Sequence, residues 1–141
     1  MKYETVISER VKDGRVGIMT LNRPDKLNAW NRQLLDDMVN CLEEFKNDEN
    51  MRVVVVKGAG KHFSAGMDFT EVLDKPLDVG RAFLRRCSNM REALHSMPQI
   101  TIAAVRGTAA AFGTHLVWYC DLAVASENAF FGAPPINVGI G

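Results

Sequence analysis

Apolar residues near the start of the chain follow first the spacing of strands and then the spacing of a helix. Two β-rich segments, residues 3–11 and 15–21, flank Lys12-Asp13-Gly14, whose Asp-Gly pair is a strong signal for a hairpin turn. Further along, apolar side chains recur every three or four residues, which predicts an amphipathic helix. They are Leu34, Leu35, Met38, Val39, Leu42 and Phe45. Asn31 is placed to cap the start of this helix.

The middle of the chain alternates between strands and a second helix. The four valines at 53–56 are typical of a strand that is buried on both faces of a parallel sheet. A helix is predicted over about 79–96, and Pro98 closes it. A buried strand over Ile100–Val105 and a shorter one over Leu122–Ala125 follow. This alternation predicts an α/β fold with mostly parallel strands and right-handed crossovers, in one domain without linkers.

Two segments repeat one order of residues: strand, basic residue, glycine, small-residue turn and helix start. They are residues 53–68 and 102–115. Each turn places free backbone N–H groups at the carboxyl end of a parallel strand, where ligands bind in open α/β sheets. Two such turns side by side present two amides to one oxygen, which is the geometry of an oxyanion hole. The alternative is that these small residues only let a helix pack closely on a strand.

Composition and charge exclude several kinds of partner. Seventeen Lys and Arg residues balance seventeen Asp and Glu residues, so the formal net charge is zero. We therefore predict no protein surface that binds nucleic acid or a membrane. The longest charge-free runs, 107–120 and 128–141, are shorter than the ~20 residues that cross a bilayer. The three cysteines are widely spaced and no secretory leader precedes them, which predicts reduced thiols, no metal site and a cytoplasmic protein.

Five motifs in order resemble the crotonase superfamily, the enoyl-CoA hydratase/isomerase group. They are LNRPDKLNA at 21–29, FSAGMD at 63–68, AVRG at 104–107, CDLAVAS at 120–126 and FGAP at 131–134. The resemblance implies a superhelix of ββα units that binds acyl-CoA thioesters, with no cofactor beyond the coenzyme A of the substrate. It also implies a homotrimer or hexamer at full length. Residues 1–141 match the N-terminal core of such proteins, and we expect the C-terminal helical trimerisation region to be absent.

The resemblance assigns roles to particular residues. The N–H groups of Met67 and Phe112 match the two amides that hold the thioester carbonyl oxygen in this family. Further positions match substrate-binding residues: Lys26, Leu27, Ala29, Ser64, Ala65, Gly66, Asp68 and Gly113. For Lys26, contact with a CoA phosphate and a plain exposed loop lysine are both open.

Two departures from the family pattern bear on the reaction. His115 stands where a hydratase carries its first catalytic glutamate, and Pro135 stands where it carries the second. A proline can neither accept nor donate a proton, so we expect His115 to be the acid/base group of a divergent reaction: hydrolysis, C–C cleavage or isomerisation. The alternative for His115 is packing against Trp118 and Tyr119. The alternative for the protein is a catalytically inactive CoA-thioester-binding or assembly protein.

Overall fold

The computed structural model describes residues 2–132. Its strands and α-helices alternate along the chain, as the sequence predicts. In order they are β1 (Val6–Val11), β2 (Val16–Leu21), α1 (Arg32–Lys46), β3 (Val53–Gly58), α2 (Leu77–His95), β4 (Ile100–Val105), β5 (Thr108–Ala110), α3 (Phe112–Tyr119), β6 (Leu122–Ala125) and β7 (Phe130–Gly132).

Five strands form one sheet in the order β1-β2-β3-β4-β6. β1 is antiparallel to β2, and every other neighbouring pair in this sheet is parallel. β5 and β7 form a separate parallel pair. The predicted α/β fold with mostly parallel strands is therefore confirmed. Because β3 and β4 are parallel neighbours, the segments that leave their carboxyl ends emerge at the same edge of the sheet.

The first hairpin lies where the Asp-Gly pair predicts it, but its first strand is shorter than predicted. Lys12, Asp13 and Gly14 all have positive φ, and the Gly14 N–H donates to the carbonyl of Val11. β1 begins at Val6 rather than at residue 3. The cause lies at Thr5, whose N–H and hydroxyl both donate to the buried carboxylate of Asp37 and tie this residue to α1.

Helix α1 is confirmed together with its cap. The side chain of Asn31 accepts a hydrogen bond from the N–H of Leu34 at 2.8 Å, as an N-cap residue does. The apolar face that the spacing predicts is buried against the sheet and α2, and Phe45 is fully buried at its C-terminal end.

Two expectations for the middle of the chain need correction. The valine strand is buried on one face only: Val54 and Val56 are fully buried, whereas Val53 and Val55 are half-buried. In addition, no α-helix begins at Asp68. One turn of 3₁₀ helix, Phe69–Glu71, follows it, and the left-handed residue Asp74 separates this turn from α2.

Within residues 2–132, no helix combines the length and apolar character needed to cross a membrane. The three cysteines are free thiols, of which Cys41 is buried and the other two are half-buried. Burial raises the pKa of all three thiols, to about 12. They are therefore protonated at neutral pH.

Candidate active site

The two glycine-containing turns lie directly against each other. Gly66 has a φ of +100°, and a Cβ atom placed on it would lie 2.9 Å from the carbonyl oxygen of Ala110 and 3.2 Å from the amide nitrogen of Phe112. Gly113 packs even more closely on the carbonyl of Ser64. Only residues without side chains allow this approach, so the glycines bring the first turn against the start of α3.

Two amides at this contact have no hydrogen-bond partner within residues 2–132. Trp30 bonds to the residues on either side of Met67: its N–H donates to the Gly66 carbonyl, and its carbonyl accepts from Asp68 N–H. The N–H of Met67 therefore points away from Trp30, as alternate residues of an extended chain do. The N–H of Phe112 is free because Phe112 is the first residue of α3.

Asn28 joins the LNRPDKLNA loop to the first turn. Its side chain is fully buried, and its amide nitrogen donates to the carbonyls of Ala59 and His62, at 2.9 Å each. Its side-chain oxygen accepts from the N–H of Arg23. We did not predict this role, although Asn28 lies inside the quoted motif, because the motif alone does not show what the side chain touches.

Ser64 lies within the contact between this loop and the first turn, where its side chain is fully buried. Its hydroxyl donates to the carbonyl of Asn28 and accepts from the N–H of Gly66. The N–H of Ala65 donates to the carbonyl of Leu27. The structure thus engages the Ser64 hydroxyl within the protein, where it fixes the turn that carries Met67.

An ion pair closes the same loop. The Arg23 guanidinium lies 3.3 Å from the Asp68 carboxylate and donates to the carbonyl of Ala29. Burial alone would raise the pKa of Asp68, but hydrogen bonds from Thr70 and the charge of Arg23 outweigh it and hold that pKa below its usual range. Arg23 was not predicted, and Asp68, predicted to bind substrate, is engaged here as a structural partner.

The second turn contains a strained residue. Ala111 has φ 51° and ψ −121°, a conformation that suits glycine and that residues with a side chain rarely adopt. Its N–H donates to the carbonyl of Gly132, and the neighbouring Thr114 hydroxyl donates to the carbonyl of Ala109. These bonds hold the start of α3 in the position that exposes the Phe112 amide.

The side chain of Phe112 has a role that its main-chain assignment did not predict. Its ring stacks on the indole of Trp30, with centroids 5.4 Å apart and planes 8° apart. Trp30 is fully buried, and its indole N–H has no partner within residues 2–132.

His115 lies on α3, one turn after the strained residue, and is half-buried. Its ring lies 5.3 Å from the ring of Phe112 and stacks on Trp118, with centroids 5.2 Å apart. It also lies 6.3 Å from Tyr119. His115 thus contacts the side chain of Phe112 and also makes the packing contacts of its alternative role. Pro135 lies outside the described residues.

The other predicted binding residues cluster around the LNRPDKLNA loop. Lys26 and Leu27 are exposed at its tip, where Leu27 is 49% accessible and has a left-handed φ of 55°. Ala29 and Ala65 are half-buried. The structure therefore gathers every candidate except Pro135 at one edge of the sheet.

The fold is that of a known family. The sequence profile described as "Enoyl-CoA hydratase/isomerase" matches residues 12–141. A protein of Mycobacterium tuberculosis named "Probable enoyl-CoA hydratase echA8" is 38% identical over 140 residues, 99% of this chain and 53% of that protein. The "Short-chain-enoyl-CoA hydratase" of Clostridium acetobutylicum is 37% identical over 141 residues, with the same coverage of both chains.

Solved structures give the same result. The crystal structure of an enoyl-CoA hydratase from Mycobacterium smegmatis matches with a TM-score of 0.92 at 35% identity, over 97% of this chain and 53% of that one. The chain belongs to the enoyl-CoA hydratase/isomerase family, and its fold is that of the N-terminal half of crotonase structures. It spans about half the length of the relatives it matches.

Proposed function

We propose that this chain carries the oxyanion site of an enzyme of the enoyl-CoA hydratase/isomerase type. The N–H groups of Met67 and Phe112 would hold the carbonyl oxygen of an acyl-CoA thioester. The observation that supports this most strongly is the contact of Gly66 with the start of α3: a Cβ on Gly66, the residue before Met67, would lie 3.2 Å from the amide nitrogen of Phe112. Such donors stabilise charge that develops on the oxygen, and removing one donor costs ~3 kcal/mol in comparable enzymes.

His115 is the acid/base group of this proposal. Its imidazole takes a proton from Cα of the acyl group, and the electron pair left behind becomes the enolate whose oxygen the two amides hold. The proton then returns to carbon. This partial reaction needs one base and no cofactor, and it fits a site in which histidine stands at the glutamate position. Isomerisation, C–C cleavage and hydrolysis are the divergent outcomes that we propose in place of simple hydration.

A second candidate is a protein that binds acyl-CoA without turnover. The observation that favours it is the stacking of His115 on Trp118, since a ring held in this way is also explained by packing alone. In either case CoA would be bound equally well by Lys26, Leu27, Ala29, Ala65 and the turn residues.

Proton exchange separates the two candidates. Butanoyl-CoA is incubated with the chain in deuterated water, and deuterium at Cα is followed by mass spectrometry. The enzyme proposal predicts exchange in the wild type, its loss in His115→Gln and its retention in the control His95→Gln. Binding of butanoyl-CoA without any exchange supports the second candidate and contradicts the first.

The oligomer and the compartment complete the proposal. The family resemblance supports a homotrimer or hexamer for the whole protein. The free cysteines are compatible with a cytoplasmic location. Light scattering of the longest expressed form tests the oligomeric state. An assembly other than a multiple of three contradicts it.

A further inference from the structure

A groove of about 140 Å³ lies between α2 and α3, beside the proposed oxyanion site. Trp30, Phe112 and Leu84 line it with apolar surface. Phe112 is also the residue whose amide the proposed function uses, and the present inference rests on that function.

The groove changes from apolar to polar along its length. The rings of His95 and Tyr119, at the C-terminal ends of α2 and α3, are 5.6 Å apart, so these two ends lie together. Arg91 precedes His95 by about one turn and therefore belongs to the same end as Tyr119. Phe112 lies at the opposite end of α3, roughly 10 Å away at about 1.5 Å per residue.

One face of α2 follows the same gradient. Leu84, Ser88 and Arg91 are spaced four and three residues apart, so they lie on one side of the helix, and all three line the groove. Leu84 is the apolar member, and it lies about 10 Å before Arg91 along α2. The Ser88 hydroxyl and the Arg91 guanidinium follow it toward Tyr119, whose hydroxyl completes the polar end.

Arg91 is available for a further partner. Its contact within residues 2–132 is Nη2 to the Glu92 carboxylate at 3.5 Å, the outer limit of a hydrogen bond, and both side chains are exposed. A guanidinium has five N–H donors and pairs with a carboxylate through two of them at once. Most of these donors remain for a ligand that lies in the groove.

We propose that this groove takes acyl groups that end in a carboxylate, and that Arg91 selects them over acyl groups that end in a methyl group. The carbonyl end lies at Phe112, the methylene chain contacts the apolar wall, and the far carboxylate meets Arg91 with the hydroxyls of Ser88 and Tyr119 beside it. A chain of roughly six to eight carbons, together with the reach of the arginine side chain, covers this distance.

Isothermal titration calorimetry with two thioesters of equal carbon number tests the selection. Hexanedioyl-CoA carries the terminal carboxylate, and hexanoyl-CoA does not. The wild type is expected to bind hexanedioyl-CoA about five- to tenfold more tightly, since the ion pair is partly exposed. Arg91→Met is expected to abolish this preference, so that the two thioesters bind with equal affinity. Arg85→Met, an exposed arginine of α2 outside the groove, is the control and keeps the preference.

Each outcome decides between the proposals. Equal affinity of the wild type for the two thioesters, or a preference that persists in Arg91→Met, overturns the selection and leaves the oxyanion site standing. If the selection is electrostatic, Arg91→Glu must bind hexanoyl-CoA more tightly than hexanedioyl-CoA. This second variant reverses the preference of the wild type. If neither thioester binds, the proposed function itself fails and this inference fails with it.

Discussion

The ring of Phe112 lies parallel to the indole of Trp30, 5.4 Å away, so the residue whose amide we propose as an oxyanion donor is anchored by its own side chain. Trp30 in turn bonds through its backbone to the residues on both sides of Met67. One buried tryptophan thus connects both proposed amides. Their positions relative to each other depend on this residue as well as on the glycines.

Truncation of Trp30 tests this connection. Trp30→Ala removes a fully buried ring and the support of Phe112, so we expect a loss of about 3–5 kcal/mol in the free energy of unfolding, measured by urea denaturation. We also expect Trp30→Ala to bind butanoyl-CoA more weakly. Trp30→Phe keeps an aromatic partner and retains most of the affinity. If the alanine variant folds and binds as the wild type does, the stacking contributes nothing.

A methyl group at Gly66 should separate the two turns. In Gly66→Ala the new Cβ meets the carbonyl of Ala110 at 2.9 Å, and the φ of +100° is strained for alanine. We expect a loss of about 2 kcal/mol in the free energy of unfolding and loss of thioester binding. Gly80→Ala is the matched control, because a Cβ there meets nothing within 4 Å in helix α2 and should stabilise the protein by about 0.5–1 kcal/mol.

Relief of strain at Ala111 should raise the free energy of unfolding, whereas the two substitutions above lower it. Ala111→Gly places glycine where φ is 51° and ψ is −121°, so relief of about 1–3 kcal/mol of strain exceeds the entropy that glycine adds to the unfolded chain. The expected gain is about 1 kcal/mol in thermal or urea unfolding. A variant that is less stable than the wild type would show that the backbone here is not strained.

Asp68 should contribute a pH-dependent part of the stability. Its pKa in the folded protein lies below its ordinary value of 3.8, so its stabilising contribution is present above about pH 4 and is lost as the pH falls through the folded value. Asp68→Asn is therefore expected to be about 1–2 kcal/mol less stable than the wild type near neutral pH. The two stability curves should converge as the pH falls through the folded pKa of Asp68. A gap that stays constant as the pH falls through that value contradicts an ionic origin.

Local sequence signals predicted most of the fold, and the structure shows why. The cap at Asn31, the helical spacing after it and the turn at residues 12–14 all act over a few residues, and each lies where it was predicted. The beginning of β1 was wrong because Thr5 is tied to Asp37, which is 32 residues away. Nothing local to Thr5 reveals that bond.

At the candidate site, too, local signals were predictable from the sequence and contacts between distant residues were not. Glycines and small residues in two turns predicted that the turns would lie side by side, and glycine-mediated contact between them is a property of turns at neighbouring strands; that their amides hold one oxygen stays a prediction. The supports of these amides join distant parts of the chain: Asn28 reaches the carbonyls of Ala59 and His62, and Trp30 stacks on Phe112. Contacts of this kind depend on the completed packing, so spacing along the chain does not show them.

The amide chemical shifts of Met67 and Phe112 report on whether both N–H groups hold the thioester oxygen. The ¹⁵N-labelled chain is titrated with acetoacetyl-CoA, whose enolate resembles the charged state that the site should stabilise. We expect the amide protons of Met67 and Phe112 to shift downfield together with a single affinity, and Gly66→Ala to abolish both shifts. Binding of acetoacetyl-CoA that leaves these two resonances in place while others move would contradict the proposed oxyanion site.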